Sequence, residues 1–383
     1  MAERLVSLPK VRSAQIRAAT RALLVAMGAG VLAAAGARHA GANPLSPWLS
    51  HPYVHGWARW DSHWYAQIAR FGYWYRPGEQ SPVAFFPGYP FLLGLWNRAG
   101  IDVYVSGIAL TLVCGVAAAV LFARWAERLR SAADADVAGW LLLLYPFSLY
   151  LYGAVYSDAL FLALVLGAFW CLEKGRSGWA AVLGALATAT RPLAPAVVLG
   201  LTVRQIERAR LEGRPLRFRD AVPLLASVGF LAYCAFLYAK FGDPLAFAHV
   251  QGAPGWDQAP GWHSWLKVTW FERVLDPATS LRGQARLWIH ALTACGALAL
   301  VIPTGRRLGW GYAVYCAVAV GIPFVSSKDF MGMGRYVLSS FPLFLTGASV
   351  LEGRPRLRVT WLVVSGTGLA GLAYAFGADV YVS

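Results

Sequence analysis

Long apolar runs separated by short polar breaks dominate the chain, and their lengths set its expected architecture. Runs of roughly 17 to 25 residues, enough to cross a hydrocarbon core as helix, lie near 20–38, 102–123, 137–153, 156–172, 221–239, 286–303, 309–325, 336–351 and 359–377. Two shorter runs, 178–190 and 192–203, flank Arg191-Pro192. The pattern predicts an all-α polytopic membrane protein of roughly 10 to 11 transmembrane helices. Its two long polar connections, 41–84 and 241–285, are read as the first and second outer loops, while 85–98 is expected to be re-entrant or interfacial. Residues 1–383 then form a single integral-membrane domain. A cytoplasmic basic tail (1–21) leads through the first outer loop and the 85–98 segment to core helices (102–240), the second outer loop and C-terminal helices (286–383).

Composition strengthens this picture. Hydrophobic residues make up 58% of the chain and charged ones 14%, with mean hydropathy +0.49, too little polar surface to coat a soluble globule. A net charge of +15 would suggest nucleic acid in a soluble protein. Here most of the 34 lysines and arginines fall in short segments that a cytoplasmic N-terminus would place inside, so they read as an orientation signal and no nucleic-acid partner is expected. The first apolar run follows Arg4, Lys10, Arg12, Arg17 and Arg21 without a small-residue cleavage site and is expected to be retained. All five cysteines sit in apolar runs, so no disulfide framework is expected. No phosphate-cradling glycine loop, dinucleotide fingerprint or zinc-ligand spacing occurs, and no metal site is predicted.

One polar, tryptophan-rich stretch breaks the pattern: Trp57-Ala58-Arg59-Trp60-Asp61-Ser62-His63-Trp64-Tyr65, followed by Phe85-Phe86-Pro87-Gly88-Tyr89-Pro90. A carboxylate among aromatics at a membrane face is costly and is usually kept for chemistry. At about 100° per residue, Trp57, Trp60, Trp64, Ile68 and Phe71 share one stripe of an interfacial helix, with Asp61 at its edge. Plainer accounts exist for each part: an aromatic belt for the tryptophans, an N-cap before Ser62 for Asp61, or a surface ion pair with Arg59. Further outer-face residues join it, namely Tyr156-Ser157-Asp158 after Tyr145-Pro146-Phe147, Arg191 at the break before Pro192, and Lys328, Asp329 and Arg335 ahead of Tyr336. His249, Trp256, Asp257 and His263 in the second loop are each more simply surface residues.

A carboxylate facing several cations at a membrane surface suits an anionic lipid headgroup and a hydroxyl acceptor. Arginine forks bind phosphate oxygens, and Asp61 could take the proton of an attacking hydroxyl. The predicted class is glycosyl transfer from a lipid-phosphate sugar, with a flippase of such a lipid or a non-catalytic scaffold subunit as rivals.

The run Arg59 to Tyr65 with Ile68-Ala69 and Gly72-Tyr73, then Ala84 to Pro90, resembles the PIG-V-like mannosyltransferases, which in eukaryotes add the second mannose of the glycosylphosphatidylinositol anchor and have bacterial relatives. Tyr145-Pro146, Tyr156-Ser157-Asp158, Thr190-Arg191-Pro192, Phe241 to Leu245 and Arg335 to Leu338 look like later blocks of the same family, which often carries Ser-Glu where this chain has Ser157-Asp158. The resemblance implies a GT-C glycosyltransferase fold, a polyprenyl-phosphate mannose donor, inversion, no metal or other cofactor, and Asp61 as the catalytic acidic residue. Arg191 and Arg335, with Lys328 and His63 as weaker partners, are the candidate donor-phosphate contacts. Arg59, Trp60, Trp64, Tyr65, Tyr156, Asp158, Phe86 and Tyr89 are candidate positioning residues, and the Phe85–Pro90 segment is expected to line the prenyl groove. Expected partners are the lipid-linked sugar donor, a glycolipid or glycan acceptor and membrane lipids; the expected location is a bacterial plasma membrane with the site on its extracytoplasmic side.

Overall fold

The computed structural model describes residues 3–41, 47–258 and 261–382. It is built from helices, with no strand among the described residues. In chain order these are α1 (Glu3–Ala40), α2 (Pro52–Trp57), α3 (Ser62–Phe71), α4 (Gly88–Arg98), α5 (Val103–Leu129), α6 (Ala132–Leu143), α7 (Asp158–Glu173), α8 (Ser177–Thr188) and α9 (Ala194–Leu211). They continue as α10 (Val228–Phe241), α11 (Ala246–His249), α12 (Trp262–Trp265), α13 (Val268–Leu275), α14 (Leu281–Ala299), α15 (Val301–Leu308), α16 (Trp310–Ser326), α17 (Met333–Ser339), α18 (Pro342–Val350) and α19 (Pro355–Gly377).

Among the described residues, five helical stretches are long and apolar enough to span a bilayer: Ser13–Ala40, Val103–Leu129, Phe218–Phe241, Leu281–Leu308 and Pro355–Gly377. These mark an integral membrane protein. Two shorter apolar helices, Ser177–Thr188 and Trp310–Ser326, pack among them. Two expected straight spans are broken. The run 137–153 becomes α6 and a 3-10 turn, Pro146–Leu151, because Pro146 has no N–H to continue the ladder. The run 336–351 divides into α17 and α18 just before Pro342. At 11 residues, about 16 Å long, α4 is too short to cross.

Helix α7 lies at the centre, packed by α5, α8 and α9, with most of its side chains buried. The ends of the chain meet where α1 packs on α19. A Cβ on Gly377 would stand 2.0 Å from the Ala33 carbonyl oxygen, so only glycine permits this approach.

The two ends of α7 face different chemistry. At the C-terminal end, Glu173 accepts from Arg204 Nε and Tyr312 Oη, both at 2.7 Å, and Tyr312 accepts from Trp125 Nε1 at 2.8 Å. Glu207 accepts from the Trp310 N–H at 2.9 Å and so caps α16. Arginines 128, 204, 208 and 214 gather at this end, each hydrogen-bonded or ion-paired to α7, α9 or the turn that follows. The N-terminal end of α7 carries Asp158.

Candidate functional site

The expected single helix through residues 57 to 71 does not form. Trp60 takes a left-handed conformation (φ 51°), so α2 ends at Trp57 and α3 starts afresh at Ser62. The aromatic stripe is therefore not one face. Trp57 is fully buried, Trp60 meets the Tyr381 ring edge-on at 5.0 Å, and Phe71 is exposed. This kink aims Asp61 inward.

Asp61 occupies the cap position of α3 without capping it: its backbone is helical and its side chain bonds no N–H of the first turn. Asp102, by contrast, does cap α5, accepting from the Tyr104 and Val105 N–H groups at 2.9 and 3.3 Å. The Asp61 carboxylate instead accepts from Arg335 Nη1 at 3.0 Å, while its N–H donates to Tyr156 Oη at 3.1 Å. Nor is Asp61 the partner of Arg59, which donates to the Gly377 carbonyl at 2.6 Å and pairs with Asp379 at 3.7 Å.

Arg335 joins Asp61 to Asp158. Its Nη2 donates to Asp158 Oδ2 at 2.9 Å, and its Nε lies 3.3 Å from both Asp158 oxygens. Asp158 also accepts from Arg191 Nη1. Beneath these charges lie aromatic faces: Arg335 sits 4.6 Å from the Tyr156 ring centre and 5.0 Å from that of Tyr150, and Arg191 sits 5.2 Å from Tyr336 and 5.7 Å from Phe161. The result is a neutral row, Asp61, Arg335, Asp158, Arg191. Its inner end is closed: Asp158 is 1% exposed and Arg191 6%. Its outer end is open, with 23% of the Asp61 side chain accessible.

The backbone explains these positions. Arg191 stands in the break between α8 and α9, and the Gly88 N–H donates to the Ala189 carbonyl at 2.8 Å, tying the start of α4 to that break. Gly334 lets α17 approach the Phe147 ring, where a Cβ would come within 2.3 Å, and its carbonyl accepts from Tyr145 Oη at 3.2 Å. The 3-10 turn and α17 thus set Arg335 over α7.

Burial pushes the Asp61 carboxyl above its ordinary value, and the Arg335 charge opposes the rise without cancelling it. Burial pulls the His63 imidazole below its ordinary value, so the ring is neutral at pH 7; its Nδ1 is 3.1 Å from Tyr104 Oη. Tyr65 is hydrogen-bonded to Ser157 Oγ at 2.9 Å, and burial raises its phenol to about 12, which keeps it protonated.

The remaining expected residues spread outward. Trp64 stacks on Phe85 at 5.8 Å and meets Trp256 edge-on at 5.7 Å. Lys328 pairs with Asp257 at 3.4 Å, away from the row. Phe86 and Tyr89 do not line an open groove, because neighbours fill the space around them. Phe86 packs on Tyr233, Phe247 and Phe230, and Tyr89 donates to the Gly107 carbonyl at 3.1 Å. Two contributors escaped the sequence reading. Tyr150 under Arg335 was signalled only by its place between Pro146 and Ser157, and Tyr104 beside His63 carried no signal.

Fold and site together define a helical membrane protein with a partly open carboxylate–guanidinium row at one end of its central helix. The family described as Mannosyltransferase (PIG-V) matches residues 46–211, so over that stretch the chain is PIG-V-like. Asp61, Asp158 and Arg191 lie inside the match and Arg335 lies outside it. The GPI alpha-1,6-mannosyltransferase 2 of Cricetulus griseus is 35% identical over 148 residues, which cover 36% of this chain and 29% of that protein. The alignment thus spans less than a third of the relative's length. A crystal structure of the Archaeoglobus fulgidus oligosaccharyltransferase in the apo form superposes with a TM-score of 0.47 at 13% identity, covering 94% of this chain and 56% of that one.

Proposed function

We propose that the protein is a membrane glycosyltransferase of the GT-C type that moves a mannosyl residue from a polyprenyl-phosphate donor to an acceptor hydroxyl on a glycolipid or glycan. The observation that carries this reading is the Asp61 carboxylate, which caps nothing, sits 3.0 Å from the Arg335 guanidinium and has its proton affinity raised by burial. The choice of mannose and of an α-linked product rests on the name of the Cricetulus griseus relative.

In this mechanism the acceptor oxygen attacks the anomeric carbon from the face opposite the phosphate. The new C–O bond forms as the sugar–phosphate C–O bond breaks, which inverts the centre. Asp61 takes the acceptor proton as the oxygen becomes nucleophilic. The bonding pair leaves with the phosphate, whose added charge is met by Arg335 N–H groups. Arg191 contributes through Asp158, which holds the Arg335 plane in place. His63, neutral, can offer a hydrogen bond and no charge, and the donor itself carries the reactive group, so no cofactor is required. With the arginine-rich end of the bundle cytoplasmic, the row faces the extracytoplasmic side of what we take to be a bacterial plasma membrane.

The test is incubation of the purified protein with labelled polyprenyl-phosphate mannose and a glycolipid extract. Wild type is expected to form a labelled product, which a purely transporting protein would not do. Asp61→Asn is expected to lose activity by about 10²- to 10⁴-fold while still binding donor. Turnover at the wild-type rate in the variant would remove the base assignment.

A further inference from the structure

The segment between α16 and α17 ends just before Arg335, and four consecutive residues of it are gripped by the second outer loop. The buried Lys267 ammonium donates to the Ser327 carbonyl. The Lys328 N–H donates to Gln258 Oε1 at 2.9 Å, and its side chain pairs with Asp257. Asp329, also buried, accepts from Arg273 Nη1 at 2.8 Å. The Phe330 ring lies 5.0 Å beneath the Lys267 ammonium and 5.9 Å from Trp270. A second ring, Phe324, faces the same ammonium at 5.6 Å.

The backbone on both sides is held in costly shape. Phe330 (φ 61°) and Lys267 (φ 57°) are both left-handed without being glycine, a conformation such residues keep only when their surroundings impose it. Burying a lysine is also unfavourable unless its N–H groups and charge find partners, and here one carbonyl and two aromatic faces supply them. Nothing in this arrangement touches the row of charges directly. The turn at Gly332 (φ 78°), which begins α17, joins this segment to Arg335.

We propose that residues 257–258 and 267–273 of the second outer loop form a latch on the 327–332 segment, and that Lys267 is a positioning residue that sets Arg335 against Asp61. A lysine serves because it combines a donor for the Ser327 carbonyl with a cation for the rings. The consequence for catalysis rests on the reading of Arg335 as the donor-phosphate contact; the latch itself does not.

The test uses the full chain in nanodiscs with Lys267→Met, which keeps the packing but loses the N–H donors and the charge, Lys267→Arg, which keeps both, and Arg273→Met. Amide hydrogen exchange over 327–338 is expected to quicken about tenfold in Lys267→Met and in Arg273→Met, with 103–129 unchanged and with Lys267→Arg close to wild type. The donor KM is expected to rise by a similar factor while kcat stays within about twofold. Unchanged exchange over 327–338 in both Met variants would overturn the latch, as would equal acceleration throughout the bundle. If wild type forms no product from polyprenyl-phosphate mannose, the donor reading fails, and the exchange pattern still decides the latch.

Discussion

Replacing Asp158 by asparagine removes the carboxylate that Arg191 and Arg335 share. The Asp158 side chain is inaccessible to solvent and accepts from Arg191 Nη1 and from Arg335 Nε and Nη2. Arg335 retains Asp61, but Arg191 loses its carboxylate partner and keeps at most a neutral amide oxygen and the Phe161 and Tyr336 rings beneath it. Such rings return about 1–2 kcal/mol, whereas breaking a buried pair from one side costs about 3–5 kcal/mol. Asp158→Asn is therefore expected to destabilise the protein by about 3–5 kcal/mol. Arg191→Met should cost less, about 1–3 kcal/mol, because Asp158 keeps Arg335. The double variant leaves a neutral Asp61–Arg335 pair and no orphaned charge, so its loss should fall short of the sum of the singles by about 2 kcal/mol. Denaturant unfolding in one fixed detergent, followed by tryptophan fluorescence, measures all three. An Asp158→Asn variant within about 1 kcal/mol of wild type, or singles that simply add, would refute the idea that this row is held together by mutual neutralisation.

Two further outcomes follow from the same geometry. The acidic limb of kcat/KM is expected above the ordinary aspartate value of 3.8, because burial raises the Asp61 pKa and the ionised form is the base; a limb at or below that value would contradict the burial argument. The sign carries over to stability: the fold holds the Asp61 proton more tightly than the unfolded chain does, so this group's stabilising contribution is complete in acid and fades as pH rises through its folded pKa. Arg335→Lys keeps one positive charge but loses the fork that reaches Asp61 and Asp158 together. Donor binding, read by titration with a prenyl-phosphate sugar, should weaken about 10- to 100-fold, and an unchanged titration curve would remove Arg335 from the phosphate site.

Run length proved a good guide to the spans because a hydrocarbon solvent leaves the backbone few choices. The stretches near 102–123, 221–239 and 359–377 appear as Val103–Leu129, Phe218–Phe241 and Pro355–Gly377. Hydropathy does not see backbone dihedrals, which is why the 57–71 stripe failed. Its periodicity was continuous, yet the left-handed Trp60 broke the helix and turned Asp61 toward Arg335. The charged candidates were legible one at a time, as acids at helix starts or arginines at breaks, where packing alone accounts poorly for them. Their pairing was not. Arg59, two positions from Asp61, turns to the C-terminal end of α19, while Arg335 arrives from 274 positions away.

Pairing also changes what each charge can do. Arg191 and Asp158 are buried and bonded to each other, and Asp158 to Arg335, so on the proposed function they act by fixing the outermost pair. Arg335 spends some N–H groups on the two carboxylates, and a guanidinium has more donors than those contacts use. On the proposed function, a donor phosphate would approach from the open side without first dismantling the row. Asp61 is less fully bonded than Asp158: it accepts from Arg335, its side chain makes no cap bond to the first turn of α3, it is partly accessible, and burial raises its proton affinity. An acid in that state gains most from taking a proton. On the proposed function, the outer pair of this neutral row thus sets a proton acceptor, Asp61, beside a set of phosphate donors on Arg335.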